Sequence, residues 1–232
     1  TPWCLFVGLV APHFPLVVAE EFLSLYPLDS LPPRKLHPRD GHARHPWVQR
    51  HHDFWPTEDQ FHDETERLTA IAAYLGLVSW MDHNIGRILD KLDETDKAED
   101  TIIVLWSDHG YHLGDKESCV KFTLWEKANH VPLIIVAPGI TTPGTVCERP
   151  VSLLDLYPTL IELCGLPEKP ELDGVSLMPL LKNPNTEWDR PALMTMGRGN
   201  HAVRSERYRY IRYSDGTEEL YDHDKDPWEW DN

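Results

Sequence analysis

The sequence predicts an α/β fold: a mostly parallel central sheet flanked by helices, followed by a small antiparallel unit at the C-terminus. Three observations lead there. Thr101–Ser107 (TIIVLWS) and Val131–Ala137 (VPLIIVA) are short, apolar and β-branched, the pattern of strands buried on both faces. Between Asp63 and Asp93 apolar residues return every three or four positions, the period of a helix. Beyond Ala192 the pattern changes to alternation.

In chain order, Cys4–Ala11 (CLFVGLVA) reads as a buried strand stopped at Pro12. Residues 12–62 are rich in Pro, His, Arg and Trp without a sustained period, so they predict a long loop with one helical turn near Glu20–Leu25. The helix over Asp63–Asp93 carries its stripe on Leu68, Ile71, Leu75, Val78, Ile85, Leu89 and Leu92. Asp82 falls on that stripe and is expected as a buried carboxylate bonded to a neighbouring loop. Two strands follow, at Thr101–Ser107 and Val131–Ala137. Ser152–Cys164 predicts a helix with Ser152 as N-cap and Gly165 just past its end. Arg207–Tyr213 (RYRYIRY), the turn Ser214-Asp215-Gly216 and Glu219–Tyr221 make a hairpin. The expected division is 1–191 for the α/β part and 192–232 for the antiparallel subdomain.

Composition narrows the function. With 232 residues, 41% of them hydrophobic, the chain can build a real core. Its apolar runs are too short to cross a bilayer. A net charge of −16 repels phosphate backbones, so nucleic acid is excluded as a partner. An anionic substrate needs a local positive site. The four cysteines form no CxxC pair and are expected as buried or incidental thiols. The chain opens Thr1-Pro2-Trp3 directly into a strand pattern, as a cut fragment does.

In open α/β sheets ligands collect at the carboxyl ends of the strands. Asp108 and His109 stand there, immediately after TIIVLWS, and Pro12-His13 follows the first predicted strand. Lys121 comes thirteen residues after Asp108, across a loop that turns on Gly110 and Gly114. A carboxylate, two histidines and a lysine at one edge suit a metal ion and an anionic tetrahedral group. Spacing alone therefore points to a metal-dependent hydrolase.

The run Ser107-Asp108-His109-Gly110-Tyr111-His112-Leu113-Gly114-Asp115, then Lys121-Phe122-Thr123-Leu124-Trp125-Glu126 and His130-Val131-Pro132, resembles the second-half signature of type I sulfatases. It is most similar to the iduronate-2-sulfatase group. Ala11-Pro12-His13-Phe14-Pro15, the helix around Asp82, Ser152–Leu160 and the tail segments Asn200–Arg204 and Glu219–Asp222 match in the same order. The resemblance implies a sulfatase or alkaline-phosphatase-like fold and a sulfuric ester hydrolase. Asp108 and His109 would be ligands of a divalent cation, usually Ca2+. His13 and Lys121 would be catalytic, binding the sulfate oxygens, and His201 and Arg204 would contact the sugar. Lys121 is preferred over Lys116 on the family's spacing.

The family's nucleophile, a formylglycine made within C/S-x-P-x-R, has no counterpart here: no Cys or Ser carries that pattern. Nor is there an Asp-Asp pair after an N-terminal strand. The expectation is a C-terminal half, inactive alone, whose unpaired sheet edge is covered by the N-terminal half or by an oligomer partner. Substrates would be sulfated sugars or glycosaminoglycan-like polymers, in a periplasmic, secreted or lysosomal setting. Two alternatives stand beside this: a non-catalytic or vestigial sulfated-glycan-binding module, and another phosphate or phosphonate ester hydrolase of the alkaline phosphatase superfamily. The histidines His37, His42, His45, His51, His52 and His62 match no standard zinc spacing and are expected, with Trp47 and Trp55, to line a cleft or face solvent.

Overall fold

A computed structural model describes residues 2–32, 61–118 and 121–232, with Glu117 described by its backbone only. The histidines and tryptophans of the 33–60 stretch lie outside the described residues. Those described up to Glu99 form one compact unit and those from Asp100 a second.

The first unit is built on a long helix. Its N-terminal arm differs from the expected buried strand: among the described residues no strand pairs with residues 2–10, and Leu5, Phe6, Val7 and Val10 are exposed, Val10 to 80%. Extended apolar backbone becomes a strand only where a neighbouring ladder takes up its amides. Helix α1 (Glu20–Leu23) supplies the anticipated turn, and α2 spans Glu64–Asp93. Asp63 caps α2, accepting from the Glu66 amide at 2.8 Å, while the Glu66 carboxylate accepts from the His62 amide, also at 2.8 Å. That reciprocal pair satisfies two backbone donors near the helix start. The buried face of α2 is carried by Arg67, Ala72, Ala73, Gly76 and Leu77. Gly76 explains the choice of face. A Cβ there would lie 3.0 Å from Val18 Cγ2 and 3.1 Å from the Phe22 carbonyl, so small residues let the α1 segment close on the helix. The aliphatic stripe is half-buried along Leu68–Val78, and Asp82 and Leu89 are exposed. Asp82 is thus a solvated carboxylate and not a buried one.

The second unit holds two sheets. Strand β1 (Ile103–Trp106) pairs with β2 (Leu133–Val136), Ile103 opposite Val136 and Trp106 opposite Leu133. The α/β class stands, but these two strands run antiparallel instead of parallel. A parallel neighbour requires a crossover that carries the chain back along the sheet. Among the described residues the connection holds a short 3-10 turn and α3 (Glu126–Asn129), and it returns the chain from the end where it left. Both strands leave apolar side chains open, among them Trp106, Ile134 and Val136.

Helix α4 (Leu156–Leu163) begins later than expected, because a 3-10 turn at Leu153–Asp155 takes the place of its first turn and carries the Ser152 cap, while its stop is as expected. Ser152 accepts from the Leu154 amide at 3.3 Å, the Asp155 carboxylate accepts from the Ser152 amide at 2.9 Å, and Gly165 takes φ 62 past the end. After α5 (Met178–Lys182) the chain forms an antiparallel meander: β3 (Ala192–Thr195), β4 (His201–Arg204), β5 (Tyr208–Arg212) and β6 (Glu218–Asp222). Alternation is strict on β5, where Arg209 and Ile211 are buried between exposed neighbours. The inner face of this sheet packs Ala202, Ile211, Tyr213 and Tyr221 against Leu124 and Trp125. Cys4, Cys147 and Cys164 are exposed free thiols, incidental and not buried, the second of the two expectations.

Candidate active site

Strand β1 delivers the chain to Ser107 and Asp108, and the turn that follows is fixed by hydrogen bonds. Ser107 Oγ donates to the His109 carbonyl at 2.9 Å, and the Gly110 amide donates to the Ala128 carbonyl at 2.8 Å. Gly110 has no alternative: a Cβ there would be driven into the Lys127 carbonyl oxygen. This close approach brings the His109 turn beside α3.

His109 is the centre of the cluster. Its Nδ1 lies 3.1 Å from the Gly110 carbonyl, which can only accept, so Nδ1 carries the hydrogen and Nε2 the lone pair. Nε2 takes a hydrogen bond from the Lys121 ammonium at 2.7 Å and lies 3.7 Å from Asp108 Oδ2. The Tyr111 ring packs edge-on against the imidazole, with centroids 5.7 Å apart. Asp108 has 84% of its side chain exposed. Three of the residues singled out in the sequence therefore meet at the carboxyl end of β1.

The remaining candidates make other contacts. His13 belongs to the first unit, where its Nδ1 meets the Phe14 carbonyl at 2.8 Å. His201 stands on the exposed face of β4 with its Nδ1 2.9 Å from Thr195 Oγ1. Arg204 lies on the opposite face of β4, with Nε donating to Glu126 Oε2 at 3.1 Å. Lys116 is kept apart from the Lys121–His109 pair, its ammonium buried beside Trp125, Tyr221 and Glu229.

Sequence reasoning missed the charged network beneath the loop. Arg209 donates to the Leu124 carbonyl at 2.9 Å, pairs with Glu126, and meets Glu229 Oε1 at 2.7 Å. Glu229 also accepts from the Glu126 amide at 2.9 Å and contacts His223 Nε2 at 3.0 Å. Burial works to raise the Glu126 pKa, but Arg209 and Arg204 outweigh it and hold the carboxyl below its ordinary range. Burial pushes the phenols of Tyr213 and Tyr221 well up, and Glu219 adds to it. The alternation of RYRYIRY puts Arg209 on the same face as Ile211, a signal that could have pointed to its burial, but nothing local names Glu126 or Glu229 as its partners.

A divalent cation fits this site in part. Asp108 Oδ2 and His109 Nε2 are close enough to share one ion, and Asp108 is open to receive it. Such an ion would take Nε2 from Lys121. Calcium demands six or more mainly oxygen donors, so this pair supplies only a fraction of a shell. Among the described residues the one group of three with metal-ligating spacing is Glu126, His223 and Glu229. Its carboxylates are already paired with the guanidinium groups of Arg204 and Arg209, which leaves a cation no charge to neutralise.

The profile described as Sulfatase matches residues 1–166, and that described as N-sulphoglucosamine sulphohydrolase, C-terminal, matches residues 114–232. A protein named Sulfatase from Formosa agariphila is 40% identical over 233 residues, covering 100% of this chain and 46% of that protein. Iduronate 2-sulfatase of Mus musculus is 30% identical over 217 residues, covering 73% of this chain and 37% of its own. Among solved structures, the phosphonate monoester hydrolase of Silicibacter pomeroyi superposes with a TM-score of 0.80 at 30% identity, over 92% of this chain and 48% of that one. The chain thus spans about half the length of the relatives it matches.

Proposed function

Because the chain belongs to the sulfatase family, we propose that it supplies the cation-binding and sulfate-binding half of a sulfuric ester hydrolase whose nucleophile lies on residues outside these 232. What supports the reading is the convergence of Asp108, His109 and Lys121 at the end of β1, with Lys121 Nζ 2.7 Å from His109 Nε2. Asp108 and His109 would hold the cation, calcium by family resemblance. When bound it would polarise the sulfate. Lys121 would donate to the sulfate oxygens, and its charge would offset the negative charge that grows there in the transition state. His13, on the other unit, is proposed as a second donor, able to protonate the departing alcohol. The formylglycine nucleophile would come from the first half.

The substrate class we infer is a sulfated sugar, a 2-O-sulfated uronate being the specific candidate on the likeness to iduronate 2-sulfatase. His201 and Arg204 are retained as proposed sugar contacts, with Arg204 the harder case because its guanidinium is engaged by Glu126. A periplasmic, secreted or lysosomal setting goes with the reading. Among the described residues no helix is long and apolar enough to cross a membrane.

The test is complementation. Purified alone, the chain should release no sulfate from an aryl sulfate. Combined with the first half of the Formosa agariphila sulfatase, formylglycine installed, it should turn the ester over. Lys121→Ala should then lower kcat by about 100-fold or more, the scale of losing one oxyanion donor. The likeness to a phosphonate monoester hydrolase favours one rival. A complemented enzyme that cleaved phenyl phosphonate esters far faster than sulfates would replace the sulfatase reading with that one, and binding of sulfated glycans without turnover would favour a non-catalytic module.

A further inference from the structure

Lys116 has no part in the reaction proposed above, yet the fold buries its ammonium. Nζ lies 4.1 Å from the centroid of the Trp125 ring and 4.7 Å from that of Tyr221, and it donates to the main-chain carbonyl of Glu229. Both residues joined by this bond have left-handed backbone, φ 55 at Lys116 and φ 57 at Glu229. Residues with a Cβ hold such angles only where their surroundings impose them. Burial lowers the Lys116 pKa to about 8 even though Glu229 and Glu219 work to raise it. The fold accepts a poorly solvated cation here to keep this contact.

The contact fastens the loop that carries Lys121. Upstream of that lysine, Lys116 is held on Glu229. Downstream, Leu124 and Trp125 enter the core of the terminal sheet, Trp125 Nε1 donates to Glu219 Oε2 at 2.8 Å, and the Glu126 amide donates to Glu229 Oε2. His112 Nε2 and Thr123 Oγ1, 2.6 Å apart, tie the two flanks together. Lys121 therefore leaves a loop whose two sides are both anchored on the last strands and on Glu229.

We propose that Lys116 and Glu229 form a latch that positions Lys121 against His109, which makes Lys116 a positioning residue. The inference rests on the reading of Lys121 as the sulfate-binding group. Its chemistry is a cation held by two aromatic faces and a carbonyl oxygen.

Lys116→Met keeps the length and apolar bulk of the side chain and removes the donor. Glu229→Gln keeps the carbonyl acceptor and removes the carboxylate that receives Glu126, His223 and Arg209. In the 232-residue chain, amide exchange at Gly114, Ser118 and Thr123 should quicken by about tenfold in either variant, with the Ile103–Trp106 amides unchanged. The 15N resonance of His109 Nε2 should move as its bond from Lys121 weakens. In the complemented enzyme Lys116→Met should lower kcat by about tenfold with KM little altered. Wild-type exchange rates with an unmoved Nε2 signal in both variants would overturn the latch. So would faster exchange with an unchanged kcat. Exchange and the Nε2 signal are read without turnover, so an inactive complement would fail the sulfatase reading while those two results still decide the latch.

Discussion

At the scale of single residues, the chemistry is set by where one lone pair goes. His109 fixes its hydrogen on Nδ1 and presents Nε2 to Lys121 and Asp108. Asp108→Asn keeps the shape and removes the charge. In the complemented enzyme it should weaken calcium binding by about tenfold or more, read by titration calorimetry, because Ca2+ affinity follows ligand charge. Lys116 gives a second prediction, in pH. Its folded pKa of about 8 lies below the ordinary 10.5. Between those values the unfolded chain binds the proton and the folded chain does not, so folding gains stability as pH rises through that window and loses it again as pH falls to about 8. Urea unfolding at a series of pH values should show wild type gaining on Lys116→Met from pH 8 to 10.5, by up to about 3 kcal/mol. A constant difference across that range would refute it. Asp108, His109 and Lys121 were legible because one strand end and one glycine turn bring them together. Arg204 was not, since Glu126, which engages it, stands 78 positions away.

At the scale of elements, local signals were read correctly wherever the deciding contacts were local. The Ser152 cap, the Asp155 return bond and the left-handed Gly165 all lie within one helix and its ends. Ser152→Ala should therefore cost about 1 kcal/mol in thermal or urea unfolding. Gly110→Ala should cost more, about 2 kcal/mol, because the added methyl must displace the Lys127 carbonyl. It should also part His109 from Lys121, visible in the Nε2 signal. Two elements were misread because their neighbours decide them. Cys4–Ala11 has strand composition and no ladder partner among the described residues, and the TIIVLWS and VPLIIVA runs pair antiparallel although either direction fits their composition. The helix stripe on α2 was read from bulk, whereas the face that packs is the one small enough, at Ala72, Ala73 and Gly76, to admit α1.

At the scale of the whole molecule, apolar surface stands open in each unit: residues 5–10 in the first, and Trp106, Ile134 and Val136 on the β1–β2 pair in the second. Exposed strand edges and apolar faces recruit other chains. In sedimentation at micromolar concentration the chain should run heavier than 26.8 kDa, or form a one-to-one complex once a sulfatase first half is added. A monodisperse monomer indifferent to that half would end the partner reading. The amino-acid sequence by itself determined the α/β class, from local period and element order, and its motifs carried the resemblance that pointed to the family and preferred Lys121 beside Asp108 and His109. Tertiary structure alone decided the direction of the β1–β2 pairing and the burial of Lys116 and Arg209 beneath the loop. The reason is physical: ion pairs, cation–aromatic contacts and ladder partners are chosen by proximity in space, and residues as distant in sequence as Lys116 and Glu229 become neighbours only when the chain has folded.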